Sequence, residues 1–172
     1  GLYNRKKLDA ILFEQFALFK RHRRPFALLM LDIDHFKALN DNHGHLGGDQ
    51  MLVNVAGILR RCIRSVDQVA RYGGEEFAVV LVEATLEGAL DTAQRIRASV
   101  EASQIAFNDQ PVTATISVGV TRCRITDSGP EDVIGRADAA LYEAKRAGRN
   151  RVHCADGTAS LATADPSNEG SA

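Results

Sequence analysis

Leu8, Ile11, Leu12, Phe16 and Phe19 fall at the spacing of one apolar helix face. They predict a helix over residues 5–20, broken by the segment from Arg21 to Pro25. The run FALLMLDID (26–34) is apolar up to Asp32 and predicts a buried strand that ends in carboxylates. A short helical turn through Phe36, Lys37 and Leu39 and a polar, glycine-rich loop, NDNHGHLGGD, lead to a helix over 49–64. Its inner face is Leu52, Val55, Ala56, Leu59 and Ile63. Residues 68–72 and 77–82 read as the strands of a hairpin turned at Gly73 and Gly74.

Leu86, Leu90, Ala93, Ile96 and Val100 mark another helix, and a strand is expected after Pro111, over 112–121, where Thr113, Thr115, Ser117 and Gly119 alternate with apolar neighbours. A last helix over 131–147 ends at Gly148, which suits a C-cap, and Val152 with its neighbours adds a short strand. From Ala155 onward the chain is small and polar and reads as a disordered tail or linker, 155–172, after a domain of residues 1–154. Helices and hairpins are mixed without a steady βα alternation. That argues for an α+β domain with a mainly antiparallel sheet.

Composition adds limits. The chain has 172 residues, 45% of them hydrophobic and 25% charged, enough for one core. Its net charge of −1 gives no reason to expect nucleic acid or an anionic membrane as a partner. No apolar run approaches the roughly 20 residues that span a bilayer, and no signal peptide is visible. The chain opens on Gly1, so an upstream domain or membrane anchor stays open. Cys62, Cys123 and Cys154 form neither a disulfide framework nor a zinc-ligand spacing, and read as reduced thiols of a cytoplasmic domain. His35, His43 and His45 lack the spacing that puts two ligands on one helical face.

The candidate chemistry lies at the end of the first strand. Asp32 and Asp34 share a face if the strand extends that far. Stacked carboxylates repel, and a divalent cation relieves the repulsion; the alternative is that one of them caps the helical turn that follows. The stretch RYGGEEF (71–77) puts Glu75 and Glu76 at a turn, and one of them can face Asp32 if the hairpin lies beside the first strand. Two glycines there allow close approach of a bulky anionic ligand, or simply make a solvated turn. Lys145 and Arg149 flank the end of the last helix, where cations also favour the helix dipole, and Lys37 follows the aspartates. Acids, a metal and these cations are the parts of a phosphoryl- or nucleotidyl-transfer site.

RYGGEEF resembles the signature of GGDEF-domain diguanylate cyclases, with Glu75 where the family name has aspartate. LDIDHFKALND, HGHLGGD, ISVGV, ADAALYEAKRAGRN and the opening GLYNR resemble further blocks of that family in the same order. The resemblance covers residues 1 to about 153. It implies a central sheet of about five strands wrapped by helices, similar to polymerase palm and nucleotide cyclase domains, and the condensation of two GTP into cyclic di-GMP with release of two pyrophosphates.

By that resemblance Asp32, the carbonyl of Ile33 and Glu75, with Glu76 beside them, would hold Mg²⁺ or Mn²⁺. Glu75 would also help activate the ribose 3′-hydroxyl. Lys37 would stabilise developing charge. Asn40 and Asp49 would read the guanine edge, with Phe36 and His45 lining the substrate, and Lys145 and Arg149 would take the terminal phosphates.

RSVD (64–67) resembles the family's RxxD inhibitory site, where product binds through Arg64 and Asp67 with a further arginine, Arg95 or, failing that, Arg97. Without that resemblance Arg64 and Asp67 are an exposed ion pair of small energetic worth. Up to six extended residues separate RxxD from the glycine pair, so the two sites lie up to roughly 20 Å apart. Two substrates reacting head to tail imply a homodimer, and control would come from an upstream sensory or receiver domain. The competing expectations are a catalytically silent receptor for GTP or cyclic di-GMP and a purely structural dimerisation domain.

Overall fold

A computed structural model describes residues 2–156. The long apolar run forms β1 (Phe26–Ile33), buried along its whole length, and it is the centre of the molecule. Around it lie α1 (Arg5–His22), α2 (Phe36–Cys62), β2 (Gln68–Arg71), β3 (Glu76–Val82), α3 (Leu86–Glu101), β4 (Ile105–Phe107), β5 (Gln110–Val112), β6 (Ile116–Arg122), α4 (Pro130–Arg146) and β7 (Val152–Cys154). The main sheet has the order β2-β3-β1-β6-β7. Every pairing in it is antiparallel except β6 with β7. The expected five-stranded α+β architecture is present.

Alternation along the strands gives the sheet two apolar faces, so helices cover both. Leu29, Leu31, Phe77, Val79 and Val118 pack with Met51, Val55 and Leu59 of α2 and with Ala93, Ile96 and Val100 of α3. Leu28, Met30, Ala78 and Val80 pack with Leu8 and Leu12 of α1 and with Val133, Ala137 and Leu141 of α4. α4 lies unusually close to β6. A Cβ on Gly119 would overlap Ala137 O and Leu141 N, so the glycine of ISVGV is where helix backbone meets strand backbone.

Two segments differ from the sequence expectation. The glycine-rich stretch 40–49 is helical, not a loop; α2 runs from Phe36 with one kink at Gly44 (φ 72°, ψ 169°). The strand expected over 112–121 is split: Val112 closes a small β4-β5 hairpin, and β6 begins only at Ile116. Past the expected boundary at residue 154, Ala155 N–H donates to Val120 O at 2.9 Å, and the Asp156 carboxylate accepts from Arg122 N–H at 3.1 Å. Residues 157–172, the rest of the expected tail, lie outside the described residues.

Candidate functional site

β1 delivers Asp32 to the end of the sheet, where it sits opposite Glu76 on β3 and Ser117 on β6. It is 7% exposed. Burial raises its pKa above the ordinary aspartate value. Lys145, whose Nζ lies 2.9 Å from Asp32 Oδ2, opposes that rise, and the charges of Glu75 and Glu76 add to it. Ile33 N–H donates to the carbonyl of Glu75 at 3.3 Å, which ties the RYGGEEF turn to the end of β1. Glu75 belongs to the turn, whereas Glu76 is the first residue of β3.

Among the described residues no group of three or more His, Cys, Asp or Glu side chains could hold a metal ion. The residues expected to hold a cation meet more sparsely at the strand end: Ile33 N–H bonds the Glu75 carbonyl, and the Glu75 charge acts on Asp32. That set suits Mg²⁺, which keeps waters and takes substrate phosphate oxygens rather than an all-protein cage. A buried carboxylate whose charge is disfavoured, with two more acids around it, fits a divalent cation on electrostatic grounds.

The backbone does not require the glycine pair: neither Gly73 nor Gly74 adopts a positive φ. A Cβ on Gly74 would meet nothing within 4 Å, whereas one on Gly73 would come within 2.5 Å of Glu76 Oε2 and displace that carboxylate. The turn is held from below by Arg71, whose Nη2 donates to Gly74 O at 2.7 Å and whose Nε donates to Gly73 O at 3.2 Å. Arg71 is a contributor that the sequence reading did not single out; its signal was its place directly before the signature.

The kinked α2 carries the next group. Asn40 Oδ1 is buried and has no hydrogen-bond partner. A Cβ on Gly48 would overlap it and would crowd Phe36 at 3.1 Å, so the glycine makes room for the amide. Lys37, His45 and Asp49 are exposed. Asp49 lines a cleft of about 1010 Å³ together with Leu2, Tyr3, Leu52, Gly73 and Phe77. One opening thus joins α2, the N-terminal segment and the glycine turn.

Asp34 does neither of the things expected of it. β1 ends at Ile33, and the helix is capped at His35 without a side-chain bond. The Asp34 carboxylate instead accepts from Thr115 Oγ1 and Ser117 Oγ, both at 2.7 Å, and from Asn150 N–H at 3.0 Å. The turn after α4 is thereby fastened to the end of β1.

On the far side of the hairpin, the Asp67 side chain is buried and accepts from Arg64 Nε at 3.1 Å, Arg64 N–H at 2.9 Å and Val82 N–H at 3.1 Å. Hydrogen bonding to Asp67 raises the Arg64 pKa further. Arg64, Asp67, Glu83, Thr92 and Arg95 line a cleft of about 300 Å³. Arg95 Nη2 donates to Cys62 O at 2.8 Å across it. The alternative arginine, Arg97, is not there: it is 5% exposed and donates to Glu101 Oε2 at 2.6 Å and Asn150 Oδ1 at 2.9 Å.

Residues 1–151 match the family model "Diguanylate cyclase, GGDEF domain". The chain belongs to the GGDEF family. It is 45% identical over 157 residues to "Diguanylate cyclase DgcP" of Pseudomonas aeruginosa, a match covering 90% of this chain and 23% of that protein. It is 44% identical over 130 residues to "Diguanylate cyclase A" of Treponema denticola, covering 76% of this chain and 35% of that protein. The chain therefore spans about a quarter to a third of the length of these curated relatives. Among solved structures, the GGDEF domain of DgcB from Caulobacter crescentus in complex with cyclic di-GMP superimposes with a TM-score of 0.87 at 36% identity, covering 90% of this chain and 89% of that one. The active GGEEF domain of a diguanylate cyclase from Vibrio cholerae gives a TM-score of 0.86 at 36% identity, covering 92% of this chain and all of that one.

The GGDEF fold thus brings Asp32, Glu75, Glu76 and Lys145 together at one end of the sheet, with Asn40 and Asp49 on α2. Arg149 is exposed and sits in the turn fastened by Asp34 and Asn150. Among the described residues no helix is long and apolar enough to cross a membrane.

Proposed function

We propose that this GGDEF domain is a diguanylate cyclase that condenses two GTP into cyclic di-GMP. The observation that carries the reading is the buried, charge-disfavoured Asp32 at the strand end, with Glu75 and Glu76 around it and Lys145 on its oxygen. Asp32, the Ile33 carbonyl and Glu75 would hold Mg²⁺ or Mn²⁺, with Glu76 adding negative charge. That ion, when bound, supplies Lewis-acid neutralisation of the triphosphate.

The ribose 3′-oxygen of one GTP attacks the α-phosphorus of the other, the bond to pyrophosphate breaks, and the 3′-hydroxyl proton leaves toward Glu75. The same step in the opposite sense closes the ring and releases the second pyrophosphate. Lys37 steadies charge on the phosphoryl group, and Lys145 and Arg149 take the terminal phosphates. Asn40, whose Oδ1 has no partner inside the domain, would turn its amide to the guanine edge, and the Asp49 carboxylate would accept from the guanine N1–H and N2–H, against Phe36 and near His45; adenine lacks those donors. Gly74, with open space around it, and Gly73, whose missing Cβ leaves room for the Glu76 carboxylate, keep the turn bare for the nucleotide.

Each domain supplies one nucleotide, so the working unit is a homodimer, paired under the control of an upstream sensory or receiver domain. Cyclic di-GMP formation per domain should therefore rise with protein concentration. Measuring initial rates over a wide concentration range checks this. A rate per domain that stays constant would rule out the facing-domain scheme, and GTP binding without product at any concentration would make the domain a receptor.

The cleft of Arg64, Asp67 and Arg95 is read as the product site because it places two arginines and a carboxylate around one opening. Arg64→Ala is expected to weaken product inhibition by about 10-fold or more, because it removes charged hydrogen bonds to the ligand. Inhibition curves with added cyclic di-GMP test it; unchanged inhibition would move the product site elsewhere.

A further inference from the structure

Three consecutive residues after α4 have left-handed backbones: Gly148 (φ 117°), Arg149 (φ 64°) and Asn150 (φ 45°). For Arg149 such a conformation carries strain, which persists only where surrounding contacts over-determine it, whereas Asn150 is of a type that adopts it readily. Those contacts are present, and they come from Asp34, just past β1, and from α3.

Asn150 N–H donates to Asp34 Oδ2 at 3.0 Å, beside the end of β1. Asn150 Nδ2 donates to Glu101 Oε1 at 2.7 Å, and Asn150 Oδ1 accepts from Arg97 Nη1 at 2.9 Å, both on α3. Arg97 also donates to Glu101 Oε2 at 2.6 Å, which closes a ring of hydrogen bonds among the three side chains. Asp34 is fixed in turn by Thr115 and Ser117. The helix C-cap accounts for Gly148, since Gly148 N–H donates to Lys145 O at 3.3 Å and Arg149 N–H to Ala144 O at 3.1 Å; the clamp on Asn150 fixes the residue that follows. What the turn presents is the exposed Arg149, just after the helix whose Lys145 reaches Asp32.

We propose that Asn150, clamped by Asp34, Arg97 and Glu101, is a positioning residue that locks the Gly148–Asn150 turn and so presets Arg149 for the terminal phosphates of the nucleotide. The inference rests on the proposed nucleotide reading. Its content is that α3, which touches no substrate in that reading, sets triphosphate recognition through Arg97. A preset guanidinium binds the β- and γ-phosphates without first losing the entropy of ordering the turn. A loosened turn keeps the guanine contacts on α2 intact and weakens only the phosphate end.

The test compares two probes in the presence of Mg²⁺: 3′-deoxy-GTP, which carries the triphosphate but lacks the attacking hydroxyl, and GMP, which shares the guanine and lacks the terminal phosphates. Arg97→Met and Asn150→Gly are each expected to weaken 3′-deoxy-GTP binding by about 10-fold and to leave GMP binding unchanged. Asn150→Gly tolerates the left-handed backbone, so it removes the clamp without adding strain. Arg97→Lys keeps the charge and one donor, and is expected to recover part of the loss.

Thermal transitions are measured on every variant, and the comparison is made at a temperature where each is folded. Equal affinity of wild type and both variants for 3′-deoxy-GTP would overturn the proposal. So would an equal loss for both probes, which is the mark of a merely structural role. Arg149→Ala serves as the reference. If it fails to weaken 3′-deoxy-GTP relative to GMP, the phosphate role of Arg149 falls and the positioning role with it; if it does weaken it while Arg97→Met and Asn150→Gly do not, only the positioning role falls.

Discussion

Glu75→Gln is expected to lower cyclic di-GMP formation by about 10³-fold while leaving the fold intact. Its contribution to the fold runs through the backbone: its carbonyl accepts from Ile33 N–H at 3.3 Å, and the amide variant keeps that bond. The side chain is half-buried in a turn whose other supports come from Arg71. What changes is charge. Removing it strips the proposed cation site of one of two carboxylates and takes away the group proposed to receive the 3′-hydroxyl proton. Because the Glu75 charge also disfavours ionised Asp32, the variant should be no less stable than the wild type. Initial rates at saturating protein, with Mg²⁺ and then Mn²⁺, beside a thermal melt, check both halves. Activity within about 10-fold of wild type would take Glu75 out of the reacting group.

Much of this arrangement is legible in the sequence, and for identifiable reasons. The apolar run of β1 admits one reading, and a central strand ending at Asp32 follows from it. The faces of α1 and α3 repeat at helical spacing and are found where the spacing puts them, and α4 ends just before the glycine expected to cap it. The first half of α2 was not legible, because Gly44, Gly47 and Gly48 lie among polar residues and each weakens a helix locally. Tertiary fit overrides that preference: Gly47 lies under Phe107 and Gly48 under Asn40, and only Gly44 breaks the helical backbone.

The β4-β5 hairpin was missed although its turn residues, Asn108 and Asp109, both have positive φ, as a tight hairpin turn requires. Pro111 drew the strand boundary instead. Asp34 was misread because the two-residue period applies only while the strand lasts, and β1 stops one residue short of it. The choice between Arg95 and Arg97 was decidable from geometry. Two residues apart on a helix they point about 200° apart, and Arg97 shares the face of Ala93 and Val100, which are buried. What no spacing argument could supply is the clamp on Asn150, since its members come from the residue after β1, from α3 and from the turn after α4, and meet only in the folded chain.

Asp32→Asn separates function from stability most sharply. Cyclic di-GMP formation is expected to fall by about 10²-fold or more, since the amide cannot supply the charge that a divalent cation needs. Metal-free stability should move the other way. The folded pKa of Asp32 is raised, by burial first, with Glu75 and Glu76 adding to the rise and Lys145 opposing it. A carboxyl with a raised folded pKa binds more protons folded than unfolded. Its contribution is then fully present below the unfolded value of about 4 and is lost as pH rises through the folded pKa.

Asn does not titrate, so the gap between variant and wild type should open in favour of the variant from about pH 4 upward and level off above the folded pKa. Lys145, 31% exposed on its side chain, can turn to water when its partner loses charge, which keeps that side of the exchange small. Adding Mg²⁺ with 3′-deoxy-GTP should stabilise the wild type and not the variant, reversing the order at neutral pH. Thermal unfolding across that pH range, with and without Mg²⁺ and the analogue, reads both signs. A variant that is less stable than wild type at neutral pH without metal would mean that the Lys145 ion pair outweighs the burial of Asp32, and that the strand end is already satisfied without a cation.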